Sequence, residues 1–303
     1  MRALLPILAI VLGAIVTPAH EYAGGIRFLL MVMLANAFIG IEFKKLYQQL
    51  NFRSGLVVLA NIVLSFVWYG LIVQFDESLA KVVFLTAISP TATAAPAMAS
   101  FWGGKVEFVT ASVILTNSSI ALSLPFLSQY FFQIDSDIST FGILQSVAIL
   151  IIKPLVISRL LRFYKSRNFQ KTLKNISFIC WLLLLFLASA KSSHFIVYES
   201  QVSWKVLLSI ALGSALVCGS SFYVGRYLGG RAFDRESSQS LGHKNTMFTV
   251  WFALSFLNPT LALSPMFYII FQNLYNAYQI SQVSPWRESS ASSVPSGSSR
   301  EIK

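Results

Sequence analysis

The chain has 303 residues, of which 55% are hydrophobic and only 12% are charged, and its formal net charge is +11. A soluble domain carries about 25% charged residues, so this composition excludes a large water-soluble domain. A membrane-crossing helix needs about 20 apolar residues, and the length therefore accommodates about ten such helices with short loops. The basic charge alternates with the apolar runs along the chain, so it gives no indication of nucleic-acid binding.

Ten apolar runs follow one another and predict an all-α membrane protein whose transmembrane domain spans residues 1–281. In order, the runs are 3–18, 24–41, 55–75, 79–101, 106–132, 138–161, 173–190, 206–228, 232–257 and 260–280. Residues 282–303 are Ser-rich and lack apolar periodicity, which predicts a disordered cytoplasmic tail.

Lys and Arg residues alternate between the two sides of these predicted helices. Short cytoplasmic loops of membrane proteins are enriched in both residues. With the N-terminus in the cytoplasm, the outer side holds only Arg27, Lys81, Lys191 and Lys205. One missed helix would invert every later loop, so this asymmetry supports ten spans. We expect an integral protein of a bacterial inner (plasma) membrane with both termini in the cytoplasm.

The fourth run is a poor helix at its centre, where Pro90 and Pro96 bracket Thr and Ala residues in FLTAISPTATAAPAMASFW. Each proline removes a backbone donor and clashes with the preceding turn. Broken backbone at membrane depth is tolerated only where it is buried or lines a cavity. We therefore predict helix breaks at both prolines, with Thr91 and Thr93 facing a site.

The ninth run is interrupted in the same way, because Gly242, His243, Lys244 and Asn245 fall near its middle. An uncompensated Lys at the bilayer centre costs about 2.5–3.5 kcal/mol, which makes Lys244 a candidate functional residue. His243 fits a plain helix contact equally well. Lys153 lies only two turns from Arg159 and is expected to extend toward the cytoplasmic interface.

The two interruptions are five predicted spans apart, so the second half must cross the membrane in the opposite sense to the first. Interrupted helices at corresponding positions of two halves point to a transporter site built from inverted repeats. The repeats are predicted at about residues 1–133 and 138–281.

Nearly the whole chain, from LLPILAIVLGAIVTPA to FYIIFQNLYNAYQ, resembles the bile acid:sodium symporter family of the bile/arsenite/riboflavin transporter superfamily. The resemblance implies ten helices in two inverted five-helix repeats, arranged as a panel domain and a core domain. It also implies that unwound helices 4 and 9 cross in the core. Alternating access for an organic anion, driven by sodium, is the function that it implies.

The chain departs from this family at the positions that would bind sodium. The family's fourth-helix motif Pro-Gly-Gly-Thr-Ala-Ser-Asn is Pro-Thr-Ala-Thr-Ala-Ala-Pro here, so Ala95 and Pro96 replace its Ser-Asn sodium ligands. The ninth-helix motif Glu-x-Gly-x-Gln-Asn is Ser-Leu-Gly-His-Lys-Asn, so Ser240 replaces the Glu and Lys244 replaces the Gln. These changes make sodium an unlikely partner.

Other family positions support the same interpretation. Val109 and Val113 occupy the hydroxyl-ligand positions of the fifth helix, and Asn61 replaces a Gln of the third, whereas Asn273 of the tenth helix is kept. All twelve acidic residues fall at span ends, in loops or in the tail. We therefore predict no metal site, no cofactor and no sodium coupling.

Lys244 then places a tethered ammonium where a mobile cation would bind. An incoming carboxylate would favour its charged form, so substrate and proton would bind together. The sequence therefore predicts a sodium-independent secondary transporter, proton-coupled or uncoupled, for a small organic anion, with Lys244 and the half-helix dipole ends holding the anion.

Two alternatives stay open at this point: a sodium-coupled organic anion symporter and a non-transporting anion sensor on the same fold. The missing mid-span acids disfavour two others, an intramembrane enzyme and a cation exporter on a related fold. The residues predicted to bind substrate or ion are Lys244, Asn245, Ser240, His243, Thr91, Thr93, Asn61, Asn273 and Thr246. The predicted helix breaks are Pro90, Pro96 and Gly242.

Overall fold

The computed structural model describes residues 5–39, 52–101, 103–132, 139–162, 167–200 and 202–281. The predicted tail at 282–303 lies outside these residues. The α-helices of the described part are α1 (Leu5–Ile15), α2 (Ile26–Ile39), α3 (Phe52–Val73), α4 (Glu77–Ala87), α5 (Ala95–Phe101), α6 (Val106–Phe132), α7 (Thr140–Leu161), α8 (Arg167–His194), α9 (Trp204–Gly242), α10 (Thr246–Phe256) and α11 (Leu263–Ser281).

Short non-α segments connect some of these helices. Thr17–Gly25 and Pro259–Ala262 are 3₁₀-helical, and Phe195–Ser200 continues α8 as a π-helix. Within the described ranges, extended pairing is limited to an isolated antiparallel bridge between Thr91 and Lys244. The predicted all-α fold class is thus confirmed.

Six helical segments of the described chain are long and apolar enough to cross a membrane. They are Thr17–Ile39, Phe52–Val73, Val106–Phe132, Thr140–Leu161, Asn175–Tyr198 and Trp204–Gly242. The other predicted spans are shorter or more polar: α1 and α10 have 11 residues each, and α11 carries several amides. The ten-span count therefore stays a prediction.

The exposed surface of these helices is apolar, whereas part of the interior is polar. Phe28, Phe126 and Leu160 are each more than 60% exposed, although Asn61 and Gln239 are almost completely buried. Water would not solvate such a surface, but lipid does, and every buried polar group must then find a partner inside the protein. The fold is that of an α-helical integral membrane protein.

Side-chain caps begin several of the helices. Asp76 accepts a hydrogen bond from the Leu79 amide at the start of α4, Ser139 caps α7, and Ser203 caps α9. Asp and Ser are favoured at this position because their oxygens satisfy amides that the first turn leaves free.

The helices pack as two groups. The first group contains α1, α2, α7 and α8, and the second contains α3 to α6 together with α9, α10 and α11. The groups meet where α6 contacts α7 and where α10 and α11 contact α8. This boundary is where the cavity described below lies.

A kink divides α9 into two helices. Gly230 has a positive φ of 55°, and Phe233 is also non-helical. A left-handed φ is readily adopted only by glycine, which explains the Gly229–Gly230 pair at this bend. Arg53 of α3 donates a hydrogen bond to the Gly229 carbonyl. The bend falls between the predicted runs 206–228 and 232–257.

Both predicted interruptions are present, although not with every predicted residue. One helix ends at Ala87 and α5 begins at Ala95, so Pro90 lies in the break. Pro96 is the second residue of α5, which corrects its prediction as a helix break. Proline is accepted in a first turn because its missing N–H would have no intrahelical partner there.

The second break is shorter and begins where predicted, because α9 ends at Gly242 and α10 begins at Thr246. A Cβ at Gly242 would lie 2.3 Å from the Cδ1 atom of Phe222, so only glycine lets this helix end pack against the first half of α9.

Candidate functional site

The two broken segments, residues 88–94 and 243–245, cross each other and pair through their backbones. The Ala92 amide donates to the His243 carbonyl at 2.7 Å, and the Asn245 amide donates to the Pro90 carbonyl at 2.7 Å. These bonds satisfy backbone groups that the broken helices leave free, which membrane-depth backbone requires. We refer to these two segments together as the crossover.

Lys244 lies at the centre of the crossover and is 1% exposed. Its Nζ donates to the Ala87 carbonyl at 2.6 Å and also to Oδ1 of Asn61. Ala87 is the last residue of α4, and free carbonyls at a helix C-terminus carry partial negative charge. The Lys244 amine therefore caps α4 at the Ala87 carbonyl and has a second oxygen acceptor on α3.

Asn61 of α3 contacts both the Lys244 side chain and the backbone of the crossover. Its Nδ2 donates to the Ile88 carbonyl at 3.0 Å, while its Oδ1 accepts from Lys244. The Lys244 amide in turn donates to Oε1 of Gln272 at 2.8 Å. The side chain of Lys244 is thus oriented by α3 and α4, and its backbone by α11.

Thr91 and Ser240 stabilise the crossover from within. The Thr91 hydroxyl donates to the Ser240 carbonyl, and its amide donates to Oγ1 of Thr116 at 3.0 Å. Nδ2 of Asn117 donates to the Thr91 carbonyl at 2.8 Å. The Ser240 hydroxyl bonds back to the Glu236 carbonyl. Neither Thr91 nor Ser240 borders the cavity, although both were predicted to bind substrate or ion.

A cavity of about 570 Å³ lies beside the crossover, between the two helix groups. One wall is apolar and comes from the first group, through Pro6, Met33, Phe178 and Trp181. The opposite wall carries the polar residues of the crossover and of α11, namely Thr93, His243, Lys244, Asn245, Thr246, Gln272, Asn273 and Asn276. Six of the nine predicted binding residues therefore border one cavity.

The cavity extends toward the end of the molecule where α1 begins and α11 ends, since Pro6 and Ala277 border it. A second cavity of about 150 Å³ shares Thr93 and Asn245 with it and lies against α7. Asn245 also caps α10 by accepting from the Phe248 amide.

A polar network borders the cavity on the side of His243. Nδ1 of His243 lies 3.1 Å from Oε1 of Gln239. Nε2 of Gln239 donates to Oδ1 of Asn276 at 2.8 Å and to Oε1 of Gln279 at 2.6 Å. His243 therefore has a partner, and its ring orientation is held by amides from α9 and α11.

Several residues of this site were not predicted: Thr116, Asn117, Gln239, Gln272 and Asn276. A signal for the last two is visible in α11, where residues 272, 276 and 279 are polar at the spacing of one helix face in an apolar run. The run Thr-Asn-Ser-Ser at 116–119 is a similar signal in α6.

The hydrophobic residues at the family's hydroxyl positions keep an apolar role. Val109 is fully buried, and Val113 borders the smaller cavity. Polar contact from α6 comes instead from Thr116 and, one turn after Val113, from Asn117.

Two ionisable residues, Lys153 and Glu236, do not border the cavity. Lys153 is exposed on α7, and its extension toward the cytoplasmic interface stays a prediction. Glu236 is buried and accepts from the Lys105 amide at 2.8 Å, six residues and about 9 Å before the end of α9. Among the described residues, no Asp or Glu borders the cavity.

No protein-family model matches the chain, and no curated protein is significantly similar to it. The resemblance to a symporter family therefore stays a prediction that depends on the sequence motifs. Fold and site together define an α-helical membrane protein in which two broken helices cross beside a polar cavity.

Proposed function

We propose that the protein is a secondary transporter that moves a small organic anion, a carboxylate, by alternating access without sodium. The observation that carries the proposal is the position of the Lys244 ammonium. It lies at the crossing of two broken helices, hydrogen-bonded to the Ala87 carbonyl and to Asn61. Broken helices that meet at membrane depth are the recurrent site architecture of secondary transporters.

The Lys244 contacts are those that a bound cation would make. An amide oxygen and a carbonyl at a helix C-terminus are hard oxygen ligands, and half-helix C-termini coordinate coupling ions in transporters. Here a covalently attached charge occupies both oxygens. Because both oxygens are already bonded to Lys244, they are not free to coordinate a mobile sodium ion, which supports sodium-independent transport.

The anion is proposed to bind in the cavity beside the crossover. Its volume of about 570 Å³ falls in the usual range for small-molecule sites. Thr246 begins α10 at the cavity wall, and the amides of a helix N-terminus attract a negative charge. Because both hydrogen bonds of the Lys244 Nζ go to protein oxygens, Lys244 supplies charge, while Thr93, Asn245 and Asn273 supply nearby polar contacts.

Movement is proposed to occur between the two helix groups. The cavity lies at their boundary, and the packing across that boundary includes α6 against α7, and α10, α11 and Pro259–Ala262 against α8. In this proposal ten spans form two inverted repeats, and α4–α5 corresponds to the second half of α9 with α10. A carboxylate beside the ammonium favours its charged form, so transport is proton-coupled or uncoupled.

The test is the thermal stability of the purified protein with a panel of small carboxylates, in sodium or in potassium. A ligand at a hundred times its dissociation constant adds about 2.7 kcal/mol to apparent stability. We expect one acid to stabilise the protein equally in both salts and to have no effect on Lys244→Met. Lys153→Met is the matched control, because it removes an exposed intramembrane lysine.

Two results would contradict the proposal. Stabilisation that requires sodium identifies a sodium-coupled symporter, and equal stabilisation of wild type and Lys244→Met removes Lys244 from the mechanism. If Lys244→Met does not fold, Asn273→Leu takes its place, since Asn273 borders the cavity. Flux of the stabilising acid into vesicles then separates a transporter from a sensor, which would bind without flux.

A further inference from the structure

A further polar cavity, of about 390 Å³, lies at the end of the molecule opposite to the start of α1 and the end of α11. It is bordered by His20 after α1, by Arg27 at the start of α2, by Lys191 near the end of α8 and by Ser255 near the end of α10. Like the cavity at the crossover, it lies between the two helix groups. We call it the distal cavity.

The distal cavity is basic and lacks counter-charges. Arg27 and Lys191 are two of the four basic residues that the predicted orientation places on the outer side. Among the described residues, no Asp or Glu borders this cavity, and Glu21 is exposed outside it. By contrast, Lys81 on the same predicted side pairs with Glu77 at 2.7 Å.

The guanidinium of Arg27 is incompletely satisfied by the protein. Its Nε is buried without a hydrogen-bond partner, and its Nη2 reaches only the Ser146 carbonyl at 3.4 Å. The Lys191 side chain forms no hydrogen bond or ion pair with the described part of the chain. The Nε atom has almost no accessible surface, so a ligand in the distal cavity is bound by the terminal nitrogens of Arg27 and by the Lys191 amine. Charged donors with few protein partners gain most from such a ligand.

The distal cavity is separated from the crossover by aromatic side chains of α10. Thr246 borders the central cavity and Ser255 the distal one, nine residues and about 14 Å apart along the helix. Between them, Phe248 borders the smaller cavity near the crossover, and Trp251 borders the distal cavity. Their ring centroids are 5.9 Å apart, and both side chains are almost fully buried.

We propose that the distal cavity is a second anion site, in which Arg27 and Lys191 bind a small carboxylate on the far side of the Phe248–Trp251 pair. The inference rests on the proposed function, because it takes this carboxylate to be the transported one, held before the aromatic pair opens. A guanidinium binds a carboxylate through two parallel hydrogen bonds, and a second cation favours a dicarboxylate.

The test is protection of a cysteine at Ser255 from a membrane-impermeant maleimide, in a background with Cys180→Ala and Cys218→Ala. Both native cysteines are buried. The protein is kept in detergent free of anionic phospholipid, with succinate and acetate as probes. We expect both acids to slow alkylation, succinate at the lower concentration.

Variants of the two cations decide the assignment. We expect Arg27→Gln or Lys191→Gln to raise the succinate concentration for half-protection by about tenfold to a hundredfold, as loss of a charged hydrogen bond does. Lys205→Gln is the matched control, because Lys205 is exposed on the same predicted side and does not border the cavity. If Arg27→Gln fails to fold, Lys191→Gln decides alone, since Lys191 has no bond to lose.

Three outcomes would overturn the inference. Protection by succinate that persists in the variant carrying both Arg27→Gln and Lys191→Gln would arise elsewhere in the protein. Protection by phosphatidylglycerol vesicles but not by succinate would identify a lipid headgroup site. Succinate that stabilises the protein through the central cavity without slowing alkylation would remove the distal site but leave the proposed function intact. Conversely, protection in Asn273→Leu after central binding is lost would retain the distal site while the central one fails.

Discussion

At the residue scale, the crossover depends on a buried lysine whose amine is held by two neutral oxygen acceptors. Lys244 is nearly fully buried, and its Nζ bonds to Asn61 and to the end of α4. A buried cation without such partners would be strongly destabilising. The lysine and its acceptors therefore depend on each other, and removal of either one should leave the other buried without its hydrogen-bond partner.

This coupling between Lys244 and Asn61 can be measured with a double-mutant cycle. We expect Lys244→Met to lower the free energy of unfolding by about 1–3 kcal/mol, because two buried acceptors lose their donor. With Asn61→Leu present, the same change should cost less, with a coupling of about 0.5–3 kcal/mol. Denaturant unfolding in detergent measures both, and strictly additive effects would show that the two side chains do not depend on each other.

Gly242 offers a steric test of the second helix break. A Cβ there would lie 2.3 Å from the ring of Phe222, so Gly242→Ala should destabilise the fold by about 1–3 kcal/mol. Gly219→Ala is the control within the same helix, because nothing lies within 4 Å of its added Cβ. It should be neutral or stabilise by up to about 1 kcal/mol. Recovery of Gly242→Ala by Phe222→Ala would assign the cost to this contact.

At the scale of elements, α10 connects the two cavities and also separates them. Its first residue borders the central cavity, and Leu254 and Ser255 near its end border the distal one. Trp251 packs edge-on against Phe256, at 5.6 Å between ring centroids, and also contacts Phe248. Any path between the cavities along this helix must therefore displace aromatic rings.

We expect Trp251→Ala to open such a path. A cysteine at Thr93, which borders the central cavity, should then react with an impermeant maleimide added from either side of the membrane. Without the tryptophan change it should react from one side only. Trp204→Ala serves as control, since Trp204 is 68% exposed at the start of α9. Unchanged one-sided labelling of a folded Trp251→Ala protein would mean that other side chains close the path.

At the scale of the whole molecule, the central cavity between the two helix groups extends toward the end where α1 begins and α11 ends. Ala277, near the end of α11, borders it, whereas Ser255 borders the distal cavity at the other end. If both termini lie in the cytoplasm, as the loop charges predict, the central cavity lies toward the cytoplasmic end of the protein.

Side-specific labelling tests this arrangement and the orientation together. In sealed vesicles, a cysteine at Ala277 should react with an impermeant maleimide only from the cytoplasmic side, and a cysteine at Ser255 only from the opposite side. The native cysteines are buried and are replaced by alanine as a precaution. Labelling of both positions from the same side would refute the orientation predicted from Lys and Arg.

Composition and local pattern were enough to predict the helical membrane class and the two breaks. Hydropathy sets how many residues can lie in lipid, and a proline or a glycine beside polar residues weakens a helix locally, although Pro125 and Pro154 lie within continuous helices here. Lys244 was identified for the same local reason, since a charge in an apolar run stands out without knowledge of its neighbours.

The direction in which each polar side chain points depended on packing between distant segments. Thr91, Ser240 and Asn61 were predicted to face a ligand, but each side chain donates to a backbone carbonyl instead. Asn61 bonds to Ile88 in the crossover, Thr91 bonds to Ser240 of α9, and Ser240 bonds to Glu236 of its own helix. Pro96 lies in the first turn of α5, where its missing N–H would have no intrahelical partner.

Arg27 and Lys191 show most clearly the difference between what the local sequence pattern predicts and what tertiary packing decides. Each is an ordinary basic residue at the end of an apolar run, and nothing in the local pattern connects them. They border one cavity only because α2 and α8 pack side by side. Rotation of a helix about its axis is decided by contacts across the whole fold, so local hydropathy determines which segments enter the membrane, while tertiary packing determines which side chains share a site.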